Sequence, residues 1–166
     1  MELRLGSLLV DGGVLDHGQV DVILERQLET GEPFGLLAEQ MFGVEPETIE
    51  QAWARQYARL TRSINPDEER FDERALSLVS RRQAWQFRVM PVRFDPVEVM
   101  LATTQQHLRR ALRFATNVLG VPVFMVMCTP EDLGRGLCRW YPMPGMTPRS
   151  VNDDGMDRLM AHADVA

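Results

Sequence analysis

The stretch RLGSLLVDGGVLDHGQVDVILERQ, residues 4–27, decides the fold because it recurs in weaker form at residues 33–56. Gly6 and Gly35 lie 29 residues apart (35 − 6), and Gln27 and Gln56 keep the same offset (56 − 27). An internal repeat indicates units that stack on each other, because one unit alone cannot bury its apolar face. The sequence therefore predicts two copies of a helix–turn–helix unit.

Each copy carries local signals for two helices. In the first copy, leucines at helical spacing precede the pair Gly12 and Gly13, which ends a helix, and Asp16 then caps the next one. In the second copy, Glu45 and Pro46 open the second helix, because proline is favoured in a first helical turn. The N-terminal part is therefore predicted to be entirely helical.

Gly6 and Gly35 occupy matching positions early in a predicted helix. Glycine inside a helix costs about 1 kcal/mol relative to alanine. Two such costs at equivalent positions indicate that something approaches the backbone closely there. The approaching group is either a neighbouring helix or a ligand.

The second part of the chain changes to mixed strand and helix periodicity. The predicted order is β-β-α-β-α, with a hairpin that turns at Asp95 and Pro96. The predicted fold class is α+β: a helical subdomain of two helix–turn–helix repeats precedes a small β-β-α-β-α subdomain. The predicted divisions are residues 1–63, residues 64–141 and a mobile tail at residues 142–166, which includes a short helix near its end.

The charge pattern argues against a nucleic-acid partner. The net charge is −6, from 18 basic and 24 acidic residues, and every basic residue is arginine. An RNA-binding interpretation would use Trp85 and Phe87 with the arginines of the second half. The favoured interpretation places those arginines on solvent faces of a helix and a hairpin, since no RNA-binding motif accompanies them: Arg81, Arg82, Arg88, Arg93, Arg109, Arg110 and Arg113. We therefore expect neither DNA nor RNA as a partner.

The sequence also predicts no catalytic or metal centre. It lacks a GxxxxGK[ST] phosphate loop, and its three histidines fall on different predicted segments. Cys128 and Cys138 lie ten residues apart without the spacing of a zinc site or a disulfide framework. No apolar run approaches the roughly 18 residues needed to cross a bilayer. We expect a cytoplasmic protein that is not an enzyme, has no cofactor and does not insert into a membrane.

The repeat resembles the N-terminal domain of type II secretion and type IV pilus assembly ATPases, known as the general secretion pathway protein E or MshE N-terminal domain. The first copy carries the matching positions Arg4, Leu5, Gly6, Leu9, Val10, Gly13, Leu15, Val20, Leu24 and Gln27. The second copy retains Gly35, Val44, Ile49 and Gln56, with Phe34 in place of the usual leucine. The segment RRQAWQFRVMPVRFDPVEVMLAT, residues 81–103, is similar to a later part of the same domain.

The resemblance implies a ligand, because many members of that family bind cyclic di-GMP through two tandem copies of the motif. The implied ligand-binding residues are Arg4, Leu5, Gly6, Leu9, Val10, Gly13, Leu24, Gln27, Phe34, Gly35 and Gln56. The second copy departs from the motif at Pro33, Ala38, Glu39 and Phe42. Since Glu39 adds a carboxylate where an anionic nucleotide would approach, the resemblance implies binding at the first repeat.

Two hypotheses about function follow. The first is a non-catalytic regulatory or adaptor domain that binds cyclic di-GMP through the first repeat. The alternative is a pure protein–protein interaction module of a secretion, pilus or signalling system, with no nucleotide ligand. Both imply a protein partner from such an assembly.

Overall fold

The computed structural model describes residues 3–56 and 63–153, with side chains for residues 4–52 and 63–153. The first repeat forms two helices, and the second repeat forms two more: α1 Leu5–Asp11, α2 His17–Thr30, α3 Phe34–Phe42 and α4 Pro46–Gln56. The predicted pair of helix–turn–helix units is thus confirmed. Asp16 caps α2, accepting a hydrogen bond from the Gln19 backbone N–H at 2.7 Å.

The second part of the chain contains the predicted α+β layer. Its elements are α5 Glu73–Leu76, α6 Arg81–Phe87, β2 Met90–Phe94, β3 Val99–Thr103, α7 Leu108–Asn117, β4 Val123–Met127 and α8 Pro130–Trp140. The hairpin and the order β2-β3-α7-β4-α8 match the prediction, which confirms the α+β fold class. The strand predicted from Phe87 begins later, because α6 runs through Phe87 and Arg88 turns the chain with φ 53°.

The first described element is a two-residue strand, β1, at Leu3–Arg4. The described strands form one sheet in the order β1-β4-β3-β2. β3 and β4 are parallel neighbours in the interior, and every residue of both strands is buried. β1, Leu3–Arg4, pairs antiparallel with β4, placing Arg4 opposite Phe124. The prediction of an all-helical first repeat is therefore wrong at this point. A strand of two residues is too short to show the alternating pattern that predicts a strand from sequence. Its pairing partner, Phe124, lies 120 residues further along the chain than Arg4 (124 − 4).

The helical repeats also pack directly on the α+β layer. A Cβ added to Gly35 of α3 would lie 2.9 Å from the Asn117 Oδ1 and 3.0 Å from the Thr116 carbonyl oxygen of α7. A Cβ added to Gly120 would overlap the carbonyl oxygen of Gly31. At Gly120 a side chain would force the two backbones apart, whereas at Gly35 it would have to displace the end of the Asn117 side chain and press on the Thr116 carbonyl group.

Part of the predicted mobile tail is packed. A 3-10 helix at Pro148–Asn152 lies against α8, and Val151 within it is completely buried. Arg88 donates a hydrogen bond from Nε to the Val151 carbonyl oxygen at 2.9 Å. Residues 148–153 are therefore held by the core, which the sequence did not predict. The short helix predicted at residues 156–161 lies outside the described residues.

Candidate functional site

Arg4 lies on the surface where the first repeat meets the sheet. Its backbone ends β1 and begins α1. Its guanidinium forms an ion pair with Glu98 and lies over the ring of Phe124, with 4.9 Å between Cζ and the ring centroid. The Arg4 side chain is still 45 % exposed. It is therefore held in place by two partners from the α+β layer and remains accessible from solvent.

The close approaches predicted at the two helix glycines are made by neighbouring helices. A Cβ added to Gly6 would overlap Cγ1 of Val20, so α1 lies directly on α2 at this point. Gly35 faces Asn117 and Thr116 of α7. Packing between helices thus accounts for both glycines.

We expect Gly6→Ala to lower the free energy of unfolding by about 1–2 kcal/mol, because the rigid Val20 side chain cannot move aside. In a Val20→Ala background the overlap is gone, and Gly6→Ala should then be neutral or stabilising by up to about 1 kcal/mol. Urea denaturation of the four proteins measures this coupling. Equal effects of Gly6→Ala in both backgrounds would show that Val20 is not the reason for glycine here.

The remaining predicted site residues divide by burial. Leu5, Leu9, Gln27 and Phe34 are buried, Val10 and Leu24 are half-buried, and Gly13 is exposed. The side chain of Gln56 lies outside the described residues. Arg4 and Gly13 are at opposite ends of α1, roughly 13 Å apart along the helix axis at 1.5 Å per residue. A ligand on the first repeat would therefore contact mainly these two ends and the half-buried residues.

Gln27 connects α2 to the segment that precedes β4. Its Nε2 donates a long hydrogen bond, 3.5 Å, to the carbonyl oxygen of Leu119. Its Oε1 is buried and has no hydrogen-bond partner among the described residues. Because the Gln27 side chain is buried, it is not exposed to a ligand on the surface. Its hydrogen bond to Leu119 instead connects the first repeat to the α+β layer.

A concave surface lies between α4, α6 and α7, away from the predicted site residues of the first repeat. It is a groove of about 560 Å³, lined by Glu50, Gln86, Phe87, Arg109, Arg110 and Arg113. Arg109 and Arg113 donate to opposite oxygens of the Glu50 carboxylate at 3.0 and 2.7 Å. The hydrogen bond from Arg113 is the main cause that lowers the pKa of Glu50, while desolvation opposes it. The sequence shows these arginines but does not indicate that they share a groove with Glu50.

Two of the residues that an RNA-binding interpretation would use are buried in the structure. Trp85 is fully buried, and its indole N–H donates to the Tyr141 carbonyl oxygen at 2.8 Å. Arg88, predicted on a solvent face, is also fully buried and bonds to backbone carbonyl groups. Neither side chain is available to stack on or neutralise a nucleic acid.

Neither cysteine has the surroundings of a reactive thiol. Burial raises the pKa of Cys128 to about 12, and burial also raises the pKa of Cys138. A thiol in this state stays protonated and is a poor nucleophile at neutral pH.

Within residues 3–56 and 63–153 no cluster of three or more histidine, cysteine or carboxylate side chains is placed to hold a metal ion. No helix in the same ranges has the length and apolar character to span a bilayer.

The fold has two helix pairs on a small α+β layer, as the resemblance to secretion and pilus ATPase N-terminal domains implies. A model of the MshEN domain family matches residues 56–147, more than half of the chain. The chain therefore belongs to the MshEN domain family. The matched region is mainly the α+β layer, and it leaves out both helical repeats except Gln56.

Among solved structures, one titled "Structure of MshE with cdg" is 22% identical to the chain. The similarity covers 83% of this chain and 99% of that chain, with a TM-score of 0.42. At this level it carries no conclusion about a shared ligand. No curated protein matches the chain.

Proposed function

We propose that this MshEN domain is a non-catalytic regulatory or adaptor domain that binds cyclic di-GMP through its first repeat. The observation that carries the proposal is the position of Arg4, half-exposed at the junction of α1 and the sheet. A guanidinium fork is suited both to phosphate oxygens and to the O6 and N7 edge of guanine. Arg4 also occupies the arginine position of the motif by which the first repeat resembles that family.

Two carboxylates oppose this binding. Glu98 already holds the Arg4 guanidinium, so an incoming phosphate or guanine must displace it or share the donors. Glu39 is exposed on α3 and adds negative charge to the second repeat. A hydrogen bond to a charged group is worth about 1.5–3 kcal/mol, or roughly tenfold or more in affinity. We therefore expect weak binding.

Calorimetric titration with cyclic di-GMP at one salt concentration tests the assignment. Arg4→Ala should abolish binding, whereas Glu39→Val should strengthen it. Arg26→Ala is the matched control, because Arg26 is an exposed arginine paired with Glu29 on α2, and its loss should leave the affinity unchanged. Binding by Arg4→Ala as tight as that of the unmodified chain would remove Arg4 from the site.

The alternative function is a protein–protein interaction module of a secretion, pilus or signalling assembly in the cytoplasm. The observation that favours it is that motif residues of the first repeat already contact other parts of the same chain. Gly6 packs on Val20, and Arg4 contacts Glu98 and Phe124. If neither the unmodified chain nor Glu39→Val binds cyclic di-GMP, this module becomes the better account.

A further inference from the structure

The groove between α4, α6 and α7 has an excess of positive charge in a chain whose net charge is negative. Among the described residues three arginines and one glutamate line it, while the chain as a whole has a net charge of −6. The three arginines come from one helix, with Arg109 and Arg113 one turn apart and Arg110 beside them. The formal charges of these described lining residues therefore sum to +2, and Arg110 is already engaged, donating to the Gln86 carbonyl oxygen at 3.2 Å.

Glu50 shows that Arg109 and Arg113 can bind a carboxylate group. Its carboxylate bridges Arg109 and Arg113, one oxygen to each guanidinium. The hydrogen bonds between described residues use one terminal nitrogen of Arg109 and one of Arg113, although each guanidinium has five N–H donors. Spare donors thus remain on both arginines next to an internal carboxylate that is already bound.

The shape of the groove distinguishes between a small molecule and a protein segment. The Arg109 and Arg113 side chains are each 63 % exposed, so the charged wall is open to solvent. A small-molecule site normally encloses most of its ligand. A neighbouring crevice of about 180 Å³, between the start of α4 and the end of α7, shares Glu50 and Arg113 with the groove. Because the charged wall is open to solvent and a second crevice adjoins it, the surface suits a segment of a partner protein better than an enclosed small molecule.

We propose that this groove binds an acidic segment of a partner protein, with carboxylate side chains of the segment held by Arg109 and Arg113 beside Glu50. Phe87 and Gln86 line the groove with an apolar ring and an amide that can contact the rest of the segment. The proposal goes beyond cyclic di-GMP binding, because none of the lining residues belongs to the predicted nucleotide site. Failure of one proposal leaves the other intact.

Fluorescence anisotropy with a labelled oligoglutamate peptide tests this inference at low salt. We expect saturable binding that weakens with added salt, because the contacts are between exposed charges. The double variant Arg109→Gln, Arg113→Gln should weaken binding about tenfold or more. Glu50→Gln should strengthen it, because the internal competitor for both guanidinium groups is removed.

Arg74→Gln is the matched control, since Arg74 is an exposed arginine paired with Asp72 on α5, away from the groove. Its affinity should equal that of the unmodified chain, and an oligoglutamine peptide should not bind. The inference is overturned if the peptide does not bind, or if Arg74→Gln weakens binding as much as the groove variant. Saturable binding of inorganic pyrophosphate in place of the peptide would also overturn it, and would assign a small anion instead.

Discussion

Replacing Arg88 with methionine is expected to lower the free energy of unfolding by about 3 kcal/mol or more. Arg88 is completely buried, and its guanidinium donates to the backbone carbonyl oxygens of Trp85, Val151 and Asp153. Methionine fills a similar volume but donates no hydrogen bond, so these carbonyl groups lose their charged donor. The last described residues, 148–153, should then separate from the core first.

The control for this variant lies on the same helix. Arg81 is the first residue of α6 and is exposed, so Arg81→Met should change the stability by no more than about 0.5 kcal/mol. Urea denaturation measures both effects, and limited proteolysis should cleave Arg88→Met near residues 148–153 before the rest of the chain. Equal stability of the two variants would show that Arg88 does not hold this segment.

Gly134→Ala is expected to destabilise the fold by about 2 kcal/mol or more. A Cβ at this position in α8 would overlap the carbonyl oxygen of Pro148 and lie 2.7 Å from its carbonyl carbon. These are backbone atoms, so α8 and the 3-10 helix at Pro148–Asn152 must move apart. Overpacking of this kind costs roughly 1–3 kcal/mol or more, which exceeds the gain of up to about 1 kcal/mol from alanine's helix propensity.

Gly136→Ala provides the comparison within the same helix. Its added Cβ would lie 2.5 Å from Sδ and 2.8 Å from Cε of Met90, which are the end of a flexible side chain. Met90 can change rotamer, so we expect a loss of no more than about 1 kcal/mol. Thermal or urea denaturation ranks the two variants. A larger loss for Gly136→Ala than for Gly134→Ala would contradict the packing described for α8.

The sequence predicted those features that depend on residues close in the chain. The sequence predicts Asp16 as a helix cap, and Asp16 accepts a hydrogen bond from the backbone N–H three residues later. Ser80 and Thr129 cap α6 and α8 with the same local contact. Gly13, Gly31 and Gly43 have positive φ values and lie in the turns that follow α1, α2 and α3. These interactions close within one turn, so their signals are complete in a short window of sequence.

Contacts between distant residues could not be predicted in the same way. Arg4 meets Glu98 and Phe124, and no local pattern connects these three positions. The basic groove depends on Glu50 of α4 reaching Arg113 of α7, 63 residues later. The burial of Arg88 follows from its turn at the end of α6 and from the packing of residues 148–153, since an isolated arginine normally predicts exposure.

The most direct test of the central claim, that Arg4 is the anchor for cyclic di-GMP, is the affinity of Glu98→Gln. This variant removes the negative charge that holds the Arg4 guanidinium, so calorimetry should show binding about tenfold tighter than that of the unmodified chain. Glu68→Gln makes the same change of net charge at an exposed position and should leave the affinity unchanged. Equal affinities for Glu98→Gln and the unmodified chain, or no binding by either, would contradict the claim.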